Sequence, residues 1–238
     1  GRGVAADAIR RFFPELSPAE VRRLRGATWS SWVRLRALEA GVASPRARWP
    51  YPPVVAGPDP ATLAGPLVLA GFHLGPIPAV GALLERLPDR VLVLQLTALP
   101  RDRIDVGLVG HDRWQRAAAF RRALDTLRRG RHVFVLVDAN VFPSTVEVTL
   151  FGRRTSFARG AFALGRITGC PVVPVASRWR GGKIEIVAGE PIPPGPEAEM
   201  AAAAARWLEA FVRESPEVIG QKFIDTFWGD DVRPVGST

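Results

Sequence analysis

Residues 67–78 read Leu67-Val68-Leu69-Ala70-Gly71-Phe72-His73-Leu74-Gly75-Pro76-Ile77-Pro78. The run Leu67–Gly71 has no polar side chain, as expected of a strand buried on both faces in a helix-covered parallel sheet. A glycine and two prolines then open the next segment. Between strand and turn stands His73, a titratable ring at the carboxyl end of a buried strand. Open α/β sheets keep their ligand crevices there, and histidine is the commonest general base. On residue type alone a structural histidine competes with this reading; its position favours chemistry.

The same grammar repeats along the chain. Strands are expected near 67–72, 91–97, 132–138, 145–151, 171–177 and 183–188. Helices are expected near 79–87, 112–129, 160–169, 197–213 and 217–227. Short apolar strands alternating with amphipathic helices predict an α/β fold: a mainly parallel central sheet flanked by helices, with an N-terminal helical segment. One strand differs. Val146, Val148 and Leu150 alternate with Glu147 and Thr149, so this segment reads as an antiparallel edge.

Ahead of the core, Ser17-Pro18-Ala19-Glu20 is a capping box with proline at the first helical position. Its helix is expected over about residues 17–40, stopping at Gly41, with Gly26 as a weak point. Val21, Leu24, Trp32 and Leu35 share one side, and Arg22, Arg23, Arg25, Arg34 and Arg36 surround the rest. Such a helix either docks on the domain with solvated arginines or lies on an anionic membrane or partner. Seven prolines between residues 44 and 66 make an extended connector. The expected organisation is a single domain over 1–238: helix, connector, and an α/β core over 67–230.

Composition narrows the classes. With 47% apolar residues, the 238-residue chain can bury a sizeable core, which argues against disorder. No apolar run approaches the roughly 18–20 residues of a membrane span, and the start has no signal-peptide pattern. The sole methionine is Met200, so Gly1 is not an ordinary translation start and the chain reads as processed or cut from something longer. Net charge is +9, and 30 of the 32 cations are arginine because lysine occurs only at Lys183 and Lys222. That balance favours phospholipid surfaces, phosphorylated carriers or nucleic acid, against the bland alternative of a solvated basic surface. The single Cys170 excludes an internal disulfide and a multi-cysteine zinc site; it reads as a small core residue and fits a reducing cytoplasm.

Three segments carry candidate chemistry. Asp138 closes the strand His132–Val137, at the same structural position as His73. If the two strands are neighbours, its carboxylate orients the ring; the alternative is a turn aspartate bonding its own backbone. Residues 151–160 hold Arg153, Arg154, Arg159 and Gly160 ahead of a helix. Arginine forks and helix N-terminal amides suit a phosphate, against a loop whose arginines pair with carboxylates. Gly75 and Asn140, beside His73 and Asp138 in sequence, complete the candidate substrate contacts. His111 reads as a surface residue, Asp112 as a helix N-cap and His132 as structural. The histidines are separated and lack clustered carboxylates, so no metal site is expected. A Walker loop, a GxGxxG after a strand and a GxSxG are all missing from the sequence.

Four stretches, in this order, resemble the bacterial lipid A acyltransferase family, part of the lysophospholipid acyltransferase superfamily. Its actinobacterial relatives acylate phosphatidylinositol mannosides. Phe12-Phe13-Pro14-Glu15-Leu16-Ser17 resembles an "FPELS"-like helix start, and Gly71-Phe72-His73-Leu74-Gly75 resembles the "HxG" opening of the active-site block. Ala123 through Gly130 resembles "ALxxLRRG". Leu150 through Val175 resembles "FFGRxAxxxxGxxxLAxxTGAPVVPV", the longest and most specific stretch. With a weak match at the tail, the resemblance covers about residues 9–230. It implies acyl transfer from a thioester, on coenzyme A or acyl carrier protein, to a hydroxyl of a glycolipid. No cofactor beyond that donor is implied. Peripheral residence on the inner face of the plasma membrane follows from the same resemblance.

One departure stands out. The family's histidine is followed five residues later by Asp or Glu, and here that position is Pro78. Asp138 resembles the aspartate of a later family block. Two readings stay open: an acyltransferase with an altered catalytic pair, or a member that only binds acyl chains, a carrier protein or a partner enzyme. Nucleic-acid binding rests on charge alone and is the weakest of the three.

Overall fold

The computed structural model describes residues 4–42, 53–88, 91–95, 104–108, 112–138 and 144–228. Its strands are β1 (Val54–Ala56), β2 (Val68–Gly71), β3 (Val91–Gln95), β4 (Ile104–Leu108), β5 (Val133–Leu136), β6 (Thr145–Leu150), β7 (Arg153–Ala158), β8 (Val172–Arg180) and β9 (Lys183–Ala188). Its helices are α1 (Ala6–Phe12), α2 (Pro18–Val42), α3 (Val80–Arg86), α4 (Arg113–Arg128), α5 (Gly160–Thr168), α6 (Glu197–Glu214) and α7 (Gln221–Trp228).

The opening strand, β2, becomes the middle of a seven-stranded sheet ordered β1-β9-β8-β2-β5-β3-β4. β8, β2, β5, β3 and β4 run parallel; β9 pairs antiparallel with β8, and β1 runs parallel to β9 at the edge. Every residue of β2 is buried, as its unbroken apolar sequence requires. Helices cover both faces. Val80, Leu83 and Leu84 of α3 pack with Leu67, Leu69, Val173, Val175 and Ile186 on one face. α1, α5, α6 and α7 fill the other, where Phe72, Phe157, Phe162, Phe223 and Phe227 are wholly buried. Burying each such ring is worth about 1.5–3 kcal/mol.

Several elements correct the sequence reading. The segment 151–160 is mostly not a loop: Arg153–Ala158 is β7, paired with β6 in a separate two-stranded sheet rather than at the edge of the main one. A two-residue turn, Phe151-Gly152, joins them with φ of 49° and 71°, both in the left-handed region that matches strand twist. β4 and the short β1 were not anticipated, and neither was α1. The last helix is split, with a 3-10 turn at Pro216–Val218 ahead of α7. The capping box forms as expected: Ser17 N–H donates to a Glu20 carboxylate oxygen at 2.8 Å, and Glu20 N–H donates to Ser17 Oγ at 3.3 Å. α2 continues through Gly26 and Gly41 to Val42, past the expected stop. Cys170 is buried.

Candidate active site

β2 and β5 are parallel neighbours with Gly71 opposite Leu136, so both chains leave the sheet at the same edge. The connection from β2 enters α3 on one face, while that from β5 reaches α5 on the other. Divergent connections from neighbouring strand ends mark the usual ligand position in such sheets. His73 and Asp138 follow those two strand ends.

Their geometry is a double clasp. His73 N–H donates to Asp138 Oδ2 at 2.5 Å, and His73 Nδ1 lies 2.7 Å from Asp138 Oδ1. A carboxylate can only accept, so Nδ1 carries a proton, and in the neutral ring the lone pair is then on Nε2. Asp138 is 1% exposed and His73 20% exposed, so the carboxylate is sealed and the ring reaches solvent. Two donors on one buried carboxylate offset much of its desolvation. A tight turn centred on His73, with Leu74 N–H donating to Phe72 O at 2.8 Å, aims the backbone amide at the acid. The residue five positions after His73, Pro78, sits in the 3-10 turn Ile77–Ala79.

That turn is pinned to the sheet. Gly75 has φ +54°, and its N–H donates to Val218 O at 3.2 Å, so this amide is engaged in the fold. A Cβ at Gly75 would lie 2.0 Å from the Ser177 carbonyl oxygen. Val218 N–H donates in turn to Ser215 O at 3.2 Å, and Ser215 is bonded by Arg178, which is 4% exposed. Its guanidinium donates to Ser215 Oγ at 3.0 Å, pairs with Glu185, and lies 2.9 Å from Glu214. Buried Arg178 and Ser177 escaped the sequence reading; the available signal was a polar pair inside an apolar strand.

The arginine cluster does not assemble. Arg153 and Arg154 are adjacent in β7, so their side chains leave opposite faces. Arg159 lies five or six residues further on, about 16–20 Å along an extended chain. It bonds Glu197, which also holds Arg166 at 2.8 Å. The Arg159 side chain, with Arg166 beside it, keeps the Glu197 carboxyl below the usual carboxylate range. Ala158 N–H donates to Val137 O at 2.7 Å, which brings Arg159 and Gly160 close to Asp138 along the backbone. Asn140 and His111 lie outside the described residues. His132 is buried and its Nδ1 accepts from Leu67 N–H at 3.3 Å, a structural role. Asp112 caps α4 through Trp114 and Gln115 N–H, each at 2.8 Å. Among the described residues, no group of three or more His, Cys, Asp or Glu could hold a metal.

A sequence profile described as "Bacterial lipid A biosynthesis acyltransferase" matches residues 93–218, slightly more than half of the chain. The chain belongs to this family. The matched span contains Asp138 and begins after His73. Family membership makes the chain a lipid-metabolism acyltransferase by kinship, with an acyl donor as the implied substrate. Among curated proteins none matches. The crystal structure of the 1-acyl-sn-glycerophosphate (LPA) acyltransferase from Thermotoga maritima is similar at 16% identity and a TM-score of 0.48, over 87% of this chain and 86% of that one. Among the described residues no helix is long and apolar enough to cross a membrane.

Proposed function

We propose that this family member moves an acyl group from a coenzyme A or acyl-carrier-protein thioester to a hydroxyl, or an amine, of a glycolipid or specialised-metabolite acceptor. His73 is the general base. The observation that carries the reading is the 2.7 Å contact between His73 Nδ1 and Asp138 Oδ1, between a partly exposed ring and a buried carboxylate at the carboxyl ends of two neighbouring strands. It leaves Nε2 free to accept a proton.

The steps follow from that tautomer. The acceptor O–H gives its proton to Nε2 as its oxygen attacks the thioester carbonyl carbon. The resulting imidazolium is stabilised by Asp138 through Nδ1–H. Collapse of the tetrahedral adduct breaks the C–S bond, and Nε2–H returns the proton to the departing thiolate. In this reading Asp138 supplies the acid that the chain lacks at Pro78. Gly75 follows His73 by two residues, Arg159 and Gly160 follow the end of β7 where Ala158 bonds Val137, and Arg153 and Arg154 stand at the far end of the β6–β7 hairpin. Purified protein given acyl-coenzyme A or acyl carrier protein should release free thiol only when an acceptor is present. Binding of donor without thiol release, across all acceptors, would support the non-catalytic reading instead.

The proposal extends to place. On α2, Trp29 is 44% and Val33 47% exposed, and Trp29 stacks on Trp32 at 5.0 Å. Arg22, Arg25 and Arg36 flank this stripe and are exposed. Interfacial aromatics rimmed by arginine suit an anionic bilayer surface, here the inner face of the plasma membrane. The Trp29→Ala/Trp32→Ala variant is expected to lose about tenfold or more in binding to phosphatidylglycerol vesicles. Equal co-sedimentation of variant and wild type would remove α2 from the account.

A further inference from the structure

The basic excess of this chain is unevenly spread. α4 carries five arginines against one acid, Asp125, and Arg129 follows it directly. α6, of similar length, has four glutamates and two arginines. On the outer side of α4 Trp114 is 74% exposed. Ala117 and Ala118, one turn on, are exposed and too small to cover the ring, and Arg121 and Arg122 stand a further turn away. These residues line an open groove that Arg129 also borders. Some of its charge is already engaged: Arg122 donates to Val106 O at 3.0 Å, and Arg131 neutralises Asp105 at 2.6 Å. Arg121 and Arg129 have no carboxylate partner among the described residues. Arg113 lies over the Trp114 ring at 4.9 Å, which holds the indole while it faces water.

We propose that this face of α4 is the docking surface for the carrier-protein form of the acyl donor, an acidic partner that meets Arg121 and Arg129 with carboxylates and takes Trp114 as its apolar anchor. The inference rests on the thioester donor of the reading above, and it holds whether or not His73 is the base. Charge complementarity gives the sign of the partner. Extent gives its class: the 16 residues of α4 span about 24 Å, more than one nucleotide covers and suited to a helix laid alongside. A tryptophan flanked by arginines is the composition of a protein-interface hot spot. Position fits delivery. α4 follows β4 and returns to β5, which runs parallel to it through β3, so the Trp114 end lies at the sheet edge that holds His73 and Asp138. β4 stands two strand spacings from β5, about 10 Å. The bilayer face proposed for α2 is elsewhere: Leu38 of α2 packs with Ile184 of β9, towards the opposite edge of the sheet from β4. A carrier on α4 therefore does not compete with a membrane on α2.

The test is binding of a palmitoyl-loaded bacterial acyl carrier protein to the full chain, measured by calorimetry beside two variants. Trp114→Ala and the charge reversal Arg121→Glu/Arg129→Glu alter exposed side chains, so both should melt like wild type. Each is expected to weaken carrier binding about tenfold or more, and wild-type binding should weaken as salt is raised. Affinity for palmitoyl-coenzyme A should stay within about twofold in both variants. His73→Ala should bind the carrier like wild type, so failure of the catalytic reading would show in turnover and leave this result untouched. Carrier affinity that is unmeasurable in the wild type, or equal in wild type and variants, would overturn the proposal. So would an equal loss for palmitoyl-coenzyme A, which would make the groove a nucleotide site. Loss of binding to phosphatidylglycerol vesicles or to duplex DNA, with carrier affinity unchanged, would overturn it in favour of those partners.

Discussion

Replacing Asp138 by Asn is expected to lower kcat about 10⁴-fold while leaving KM and the fold nearly intact. The size follows from the tautomer. A serine-protease triad that loses its orienting carboxylate to an amide keeps its geometry but falls by this factor, because the ring is held in the wrong protonation pattern. The same logic applies here with an additional constraint. Asp138 accepts twice, from the His73 amide at 2.5 Å and from the ring at 2.7 Å. Asn has one acceptor oxygen, and the backbone amide has no alternative but to claim it. The side-chain NH₂ then faces Nδ1, which must present its lone pair, so Nε2 carries the proton and cannot accept another. Steady-state kinetics beside a thermal melt would check this. A kcat within tenfold of wild type would mean that Asp138 is only a turn residue.

Gly75→Ala should damage both stability and turnover. Alanine at φ +54° costs about 1–2 kcal/mol from the left-handed backbone alone. The new Cβ would stand 2.0 Å from the Ser177 carbonyl oxygen, a backbone atom in a central strand that cannot swing aside. The turn has to lift, breaking the Gly75 N–H bond to Val218 O, and overpacking of this kind adds about 1–3 kcal/mol. Together these terms correspond to a fall in Tm of roughly 4–20 °C for a chain of this size. Because His73 is two residues away, a lift of about 1 Å should lower kcat by about 100-fold. A Gly75→Ala protein with wild-type Tm and kcat would show that the turn is not fixed against β8.

Some of this is legible in the sequence, and the rest is hidden for physical reasons. The strand Leu67–Gly71 and the run Val172–Val175 announce burial on both faces, and they became adjacent central strands. β7 was misread because Arg153, Arg154, Thr155 and Ser156 are polar, yet they sit in a two-stranded sheet with exposed or half-exposed residues. Its hairpin turn uses Phe151-Gly152 in place of Asn-Gly or Asp-Gly, so the commonest hairpin signal is missing; Phe151 instead packs edge-on to Phe12 at 5.3 Å. β4 carries Asp105 and Gly107, which interrupt an apolar pattern, and an edge strand tolerates both. For the site, position was readable and pairing was conditional. Sequence put His73 and Asp138 each at a strand's carboxyl end, but 65 residues separate them. Only the order of strands, set by where α3 and α5 pack, makes them neighbours.

The central claim is that the His73 ring is the base in acyl transfer. Its most direct test is product formation by His73→Ala beside wild type, at equal concentration, with a donor thioester and an acceptor that the wild type uses. The account predicts that the variant melts like wild type and forms product no faster than the uncatalysed background. Equal rates from the two proteins would contradict it.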